Sequence, residues 1–255
     1  MHDLSDKTIL VTGASKGIGA AIVNRVGRAG AYVVAHYASD KDGVLDASKD
    51  IADTNKLLIQ SDFSNLDDVE RLWDEAERWR GGIDVLVNNA ATMQWGGGFD
   101  QSLDEWDAAW ETTLQINVLA PARLLRRAAK HFTTSGGGTI VTISSWAAQK
   151  GVTNPDTIAY GASKAAVHSA TQTIARAFAK QGVLAYVIAP GVVRTRLSEE
   201  FAATQGGEDK ITNMLAMREW VPPEEIGELV AFLSTGKVRH LSGATLDING
   251  ASYIR

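Results

Sequence analysis

Four sites, in chain order, carry residue types that can do chemistry together: the run Thr12-Gly13-Ala14-Ser15-Lys16-Gly17-Ile18-Gly19, then Asn117, then Ser145, then Tyr160 with Lys164. The glycines suit a tight turn whose backbone N–H groups, at the positive end of a helix, grip a phosphate. On a helix Tyr160 and Lys164 stand one turn apart on one face, and Ser145 ends the strand before them. A phenol of pKa ~10 becomes a useful acid/base near neutrality if about three units, or roughly 4 kcal/mol, are taken off. A cation at ~4 Å in an effective dielectric of ~20 is worth about that much, so Lys164 is expected to lower the Tyr160 pKa. Ser145 would hold the reacting oxygen, and Asn117, a mediocre helix former in a helical segment, would expose a backbone carbonyl to a proton-relaying water.

Neither motif is informative without its context: the glycines must follow a buried strand and open a helix, and Tyr160 must follow a later strand and open another. Both conditions hold. Apolar runs predict strands near 7–12, 31–36, 56–61, 83–88, 138–144, 183–189 and 244–248. Helical periodicity falls between them at 17–29, 44–53, 67–79, 103–131 (with a break possible), 158–181 and 223–235. This alternation is that of βαβ units in a parallel sheet covered on both faces, here one α/β domain over residues 1–255 with no linker to divide it. Two stretches break the rhythm, 91–102, which contains Gly96-Gly97-Gly98, and 194–221; with the loop 146–158 they are expected to wall a substrate. Met93, Trp95 and Trp146 are the candidate substrate residues; Phe201, Met214, Met217 and Trp220 share the same irregular surroundings.

An acid closing the second strand of such a fold selects NAD, and a cation nearby accepts the NADP phosphate. Ala31 to Ser39 ends without an acid at that place, and Lys16 lies inside the glycine turn. NADP(H) is therefore expected over NAD(H), with Tyr37 and Ser39 in the cofactor site.

Composition removes other classes. There is no cysteine, hence no disulfide framework or thiolate metal site, which suits a reducing cytoplasm. The five histidines, at 2, 36, 131, 168 and 240, show no ligand spacing, so no metal is expected. A net charge of −5 with dispersed basic residues gives no footprint for nucleic acid, and the apolar runs are too short to span a bilayer. Residues 1–6 lack the charged leader and apolar core of a secretory signal.

The glycine turn, Asn88-Asn89-Ala90, the set Asn117, Ser145, Tyr160 and Lys164, Pro190-Gly191 and Pro223-Glu224-Glu225-Ile226 together resemble the short-chain dehydrogenase/reductase family, in its 3-oxoacyl carrier-protein reductase-like branch, over nearly the whole chain. The resemblance implies a Rossmann-like, doubly wound, seven-stranded parallel sheet in a homotetramer, and an NAD(P)(H)-dependent oxidoreductase acting on a ketone or its secondary alcohol. It also implies a cofactor site of Gly13, Ser15, Lys16, Gly17, Ile18 and Gly19, of Asp62, Phe63, Asn89 and Ala90, of Tyr160 and Lys164, and of Pro190, Gly191, Val193 and Thr195. A 3-oxoacyl thioester is the leading specific substrate, with a sugar or polyol next. Two other readings stay open: a non-catalytic NADP(H) sensor, which has no need of Tyr160 and Lys164, and dehydration or epimerisation, whose enzymes tend to be longer. The chain departs from the family pattern at Ala91, where Gly is common, at the long interval of 15 residues from Ser145 to Tyr160, and at Asp247-Ile248-Asn249-Gly250. Of Ser144 and Ser145, the second of the pair is expected to face substrate.

Overall fold

Each of the seven apolar runs becomes a strand: β1 (Thr8–Val11), β2 (Tyr32–Tyr37), β3 (Lys56–Gln60), β4 (Val85–Asn88), β5 (Gly138–Ile143), β6 (Val183–Pro190) and β7 (Thr245–Ile248). The structure, a computed structural model, describes residues 2–95 and 98–255; Gly96 and Gly97 of the expected wall lie outside the described residues. All pairings are parallel, in the order β3-β2-β1-β4-β5-β6-β7. The order reverses between β1 and β4, and the carboxyl ends of these two strands therefore open onto a crevice.

Helices cover both faces, as near-continuous apolar strands require. On one face, α1 (Gly17–Arg28), α2 (Lys41–Ala47) and α10 (Pro223–Ser234) bury Ile22, Val23, Val26, Val44, Ile226 and Val230 against Ile9, Val11, Val33 and Val87. On the other, α3 (Leu66–Arg80), α5 (Ala120–Ser135) and α7 (Ile158–Ala177) bury Leu72, Trp73, Leu124, Phe132 and Ala175 against Leu10, Val34, Leu86 and Ile140. The result is one Rossmann-like α/β domain. No helix among the described residues is long and apolar enough to cross a membrane.

The long helical segment is indeed broken: α4 (Leu103–Leu114) passes through a π-helical turn, Gln115–Leu119, into α5. The second helix starts earlier and ends sooner than periodicity predicts, because the Asp40 carboxylate accepts the Gly43 N–H at 2.8 Å and fixes the start. The walls are less irregular than expected. They contain the short helices α6 (Ala147–Lys150), α8 (Arg196–Thr204) and α9 (Glu208–Met214). Helices of one or two turns show too few apolar repeats to be read from a period of 3.6.

Two glycines separate close approach from mere backbone freedom. Gly81 ends α3 with φ +77°, and a Cβ there would meet nothing within 4 Å. At Gly19 a Cβ would run into the Gly13 carbonyl oxygen and stand 2.7 Å from Asn89 Nδ2. Gly81→Ala should therefore cost about 1 kcal/mol in chemical denaturation, for the left-handed backbone alone. Gly19→Ala should cost more than about 2 kcal/mol, because the turn itself must move.

Candidate active site

The crevice begins with a set of hydrogen bonds between the ends of β1 and β4. Thr12 Oγ1 accepts from the N–H groups of Asn89 (2.9 Å) and Ala90 (3.0 Å) and donates to the Val87 carbonyl (3.2 Å). In return, Asn89 Nδ2 donates to the carbonyls of Thr12 (2.9 Å) and Gly13 (3.1 Å). The glycine turn is thereby pressed onto the neighbouring strand. Gly13 and Gly17 have positive φ, and a Cβ on Gly13 would stand 2.9 Å from the Ala90 Cα. Behind them, α1 has neither a side-chain N-cap nor an acid in its first turn. Its opening amides are left to an anion, so the cradle fits the pyrophosphate of a dinucleotide.

A cleft of about 600 Å³ runs from this turn to the carboxyl ends of β5 and β6. Gly13, Ser15, Lys16, Gly17, Ile18, Gly19, Ser39, Asp62, Phe63, Asn89, Ala90, Ser145, Tyr160, Lys164, Pro190, Gly191, Val193 and Thr195 all line it. Thr195 caps α8 and would touch a Cβ on Gly17 at 3.0 Å, so the β6 loop closes directly over the glycine turn.

Tyr37 does not line the cleft. It sits buried with Val44 and Ala47 beneath α2. Strand alternation is the reason: Val33, Ala35 and Tyr37 point to that face, and Val34 and His36 to the other. The residue of β2 that does reach the cleft is His36, one of the five scattered histidines. Its ring stacks on Phe63 with centroids 4.3 Å apart and planes within 7°. Burial pushes its pKa down to about 4, against a smaller opposing effect of the Ser61 carbonyl.

At the other end, the Ser145 hydroxyl accepts the Ala147 N–H at 3.1 Å and hydrogen-bonds the Tyr160 phenol. Ser144 also lines the cleft, with its hydroxyl donating to the Lys164 carbonyl at 3.0 Å. Lys164 Nζ donates to the Ile143 carbonyl at 2.9 Å and lies 5.7 Å from the Tyr160 ring centroid. The direction expected for the phenol is reversed. Burial raises Tyr160 to about 12, with the Ser145 hydrogen bond pulling the other way, and burial lowers Lys164 to about 8. The ammonium is engaged with a carbonyl, and desolvation of the phenolate outweighs its attraction. Asn117 occupies the π-helical turn. Its amide donates to Thr92 O (2.8 Å) and Ser163 Oγ (3.0 Å), and its Oδ1 accepts the Thr92 N–H (2.8 Å). It thereby ties the loop after β4 to the helix of Tyr160 without lining the cleft.

Of the candidate substrate residues, Met93 lines the cleft and Trp95 and Trp146 do not. Trp95 stacks on Phe201 of α8 with centroids 6.3 Å apart, bridging two of the expected walls. Trp146 packs with Phe201 against Ala202, Ile211, Leu215 and Trp220, and Lys150 Nζ stands 3.7 Å from its ring centre. Met214 and Met217 are exposed. Arg194 is paired with Glu208 at 2.6 Å and lies over Trp220; Arg196 is paired with Glu200 at 2.7 Å at the cleft rim.

A family model described as Enoyl-(Acyl carrier protein) reductase matches residues 13–251. The chain is 32% identical over 97% of its length to 3beta-hydroxysteroid dehydrogenase 1 of Eggerthella lenta, covering 94% of that protein. It is 31% identical to human dehydrogenase/reductase SDR family member 4, over 99% of this chain and 89% of that one. It is 28% identical to the 3-oxoacyl-[acyl-carrier-protein] reductase FabG of Staphylococcus epidermidis, over 98% of this chain and all of that one. A crystal structure of a dehydrogenase/reductase from Sinorhizobium meliloti 1021 superposes with a TM-score of 0.85 at 28% identity, covering 99% of this chain and 97% of the other. With the glycine turn and the Ser145, Tyr160 and Lys164 group sharing one cleft on this sheet, the chain belongs to the short-chain dehydrogenase/reductase family of oxidoreductases.

Proposed function

We propose that the protein is an NADP(H)-dependent oxidoreductase that interconverts a medium-sized, partly apolar ketone and its secondary alcohol. The observation that carries this reading is the continuity of the cleft, with the phosphate cradle at one end and the Ser145–Tyr160 pair at the other. A bound dinucleotide supplies or accepts the hydride. The chain's own part is to place the carbonyl and move a proton.

Ser145 orients the carbonyl oxygen toward Tyr160. With its pKa near 12 the phenol is protonated at neutral pH, which is the form that gives a proton to an oxygen gaining negative charge. Lys164, cationic below about 8, stabilises the phenolate left behind. At the adenosine end, Lys16 and the Ser39 hydroxyl offer a cation and a donor to a 2′-phosphate, beside Ser15, whose hydroxyl donates to the Asp40 carbonyl at 2.9 Å. Asp40, the next residue in the chain, also lines the cleft, and one oxygen of its carboxylate accepts the Gly43 N–H that caps α2. Met93 in the cleft and the Trp95–Phe201 stack beside it favour an apolar substrate. A 3-oxoacyl thioester is the second reading, favoured by the likeness to a 3-oxoacyl-carrier-protein reductase along the full length of that protein.

Oxidation of NADPH and of NADH should be followed across ketones, 3-oxosteroids, 3-oxoacyl thioesters and sugars. Turnover is expected with NADPH and an apolar ketone or thioester; tighter binding of NADH than of NADPH would reject the cofactor assignment. Tyr160→Phe should cut turnover by at least about a hundredfold while leaving dinucleotide affinity within about threefold. Ketone reduction should hold its rate through neutral pH and decline as pH rises through about 8, where Lys164 loses its proton while Tyr160 keeps its own. Initial rates at saturating cofactor test this, and a decline at the same pH in Lys164→Arg would assign it to another group.

A further inference from the structure

His36 takes two successive amides of the glycine turn. Its backbone carbonyl accepts the Ala14 N–H at 2.8 Å, and its side-chain Nδ1 accepts the Gly13 N–H at 3.1 Å. An N–H donor at Nδ1 fixes the tautomer: Nδ1 carries the lone pair, and Nε2–H donates to the Ser61 carbonyl at 3.0 Å. The ring face lies flat against Phe63. One buried, fully partnered side chain on β2 thus joins two separate segments of the cleft: the turn after β1 and the stretch after β3 that holds Ser61 and Phe63.

We propose that His36 is the positioning residue of the dinucleotide site, a neutral clamp that sets the glycine turn in the conformation that receives the pyrophosphate. This rests on the cleft being a dinucleotide site, as argued above. The physical reason is a division of labour among amides. Gly13 is held at φ +68° with its N–H turned into the protein, away from any ligand. The amides of the first turn of α1 remain for the phosphates. Without an acceptor at Nδ1 the part-buried Gly13 N–H loses its partner, and the turn relaxes toward whatever conformation supplies one. Among the described residues, the ring's partners are the Gly13 amide, the Ser61 carbonyl and the Phe63 ring, none of them charged. Lys16, Asp40 and Asp62, the charged residues of the adjoining segments, are exposed, and desolvation keeps the imidazole neutral at physiological pH.

Two substitutions separate the acceptor from the stack. His36→Phe keeps a flat ring against Phe63 and removes the acceptor. His36→Asn loses the stack but can place an amide oxygen where Nδ1 stood. NADPH binding, measured by direct titration, and steady-state kinetics should be compared across wild type and both variants. In His36→Phe the NADPH dissociation constant and the KM for cofactor should rise about tenfold, with kcat at saturation within about twofold. His36→Asn should stay within about threefold of wild type in both. Unchanged affinity in His36→Phe, a fall in kcat with KM unaltered, or an equal loss in His36→Asn would overturn the assignment. Should His36→Phe fail to fold, imidazole 15N shifts of the wild-type protein decide: a bare Nδ1 and protonated Nε2 support the clamp, and a proton on Nδ1 refutes it. Failure of wild type to bind either nicotinamide dinucleotide would instead reject the reading of the cleft on which the clamp depends.

Discussion

The hydrogen bonds between Thr12–Gly13 and Asn89–Ala90 hold together the two strands at which the sheet reverses its order. Parallel strands joined by helical crossovers diverge at their carboxyl ends, so a crevice at this point follows from topology. Its width does not. That is set by one hydroxyl accepting two amides and one carboxamide donating to two carbonyls, with glycines where any Cβ would collide. Once the turn lies against β4, Thr195 can reach it from the β6 loop, and the cleft is roofed on the side where a dinucleotide would bridge its two ends.

The end of the cleft proposed to do the chemistry is built on the opposite principle, desolvation in place of close fit. Lys164 is buried and bound to a strand carbonyl, and Tyr160 is held neutral by its surroundings. A phenol raised to about 12 and an ammonium lowered to about 8 are driven apart in proton affinity, so the phenol keeps the proton it has to give while the lysine is the first of the two to lose its own as pH rises. The Asn117 amide bonds make the geometry of this end depend on the loop after β4, because the same side chain holds Thr92 and, through Ser163, the helix bearing Tyr160.

The second strand shows how a side chain's direction outranks its type. Tyr37 has the size and polarity of a ligand contact, and the pleat sends it into the core. His36, which composition gives no reason to single out, is sent to the cleft and meets an amide, a carbonyl and an aromatic face. A one-residue difference in register exchanges the two roles, and no count of histidines or spacing between them carries that information.

The seven strands, the helices that cover them and the glycine turn were legible in the sequence, because buried parallel strands are continuous apolar runs and only glycine fits where backbones touch. So was the grouping of Ser145, Tyr160 and Lys164 in one cleft, which depends on helix pitch and the end of one strand, both local properties. The tertiary structure alone decided that Tyr37 is core, that His36 accepts the Gly13 N–H of the turn and that burial reverses the expected shift of Tyr160. It also decided that 194–221 holds two short helices and that Trp95 meets Phe201 across the walls. Each of these depends on contacts between residues far apart in the chain, where neither periodicity nor spacing extends, and on desolvation, which has no value until the fold has closed.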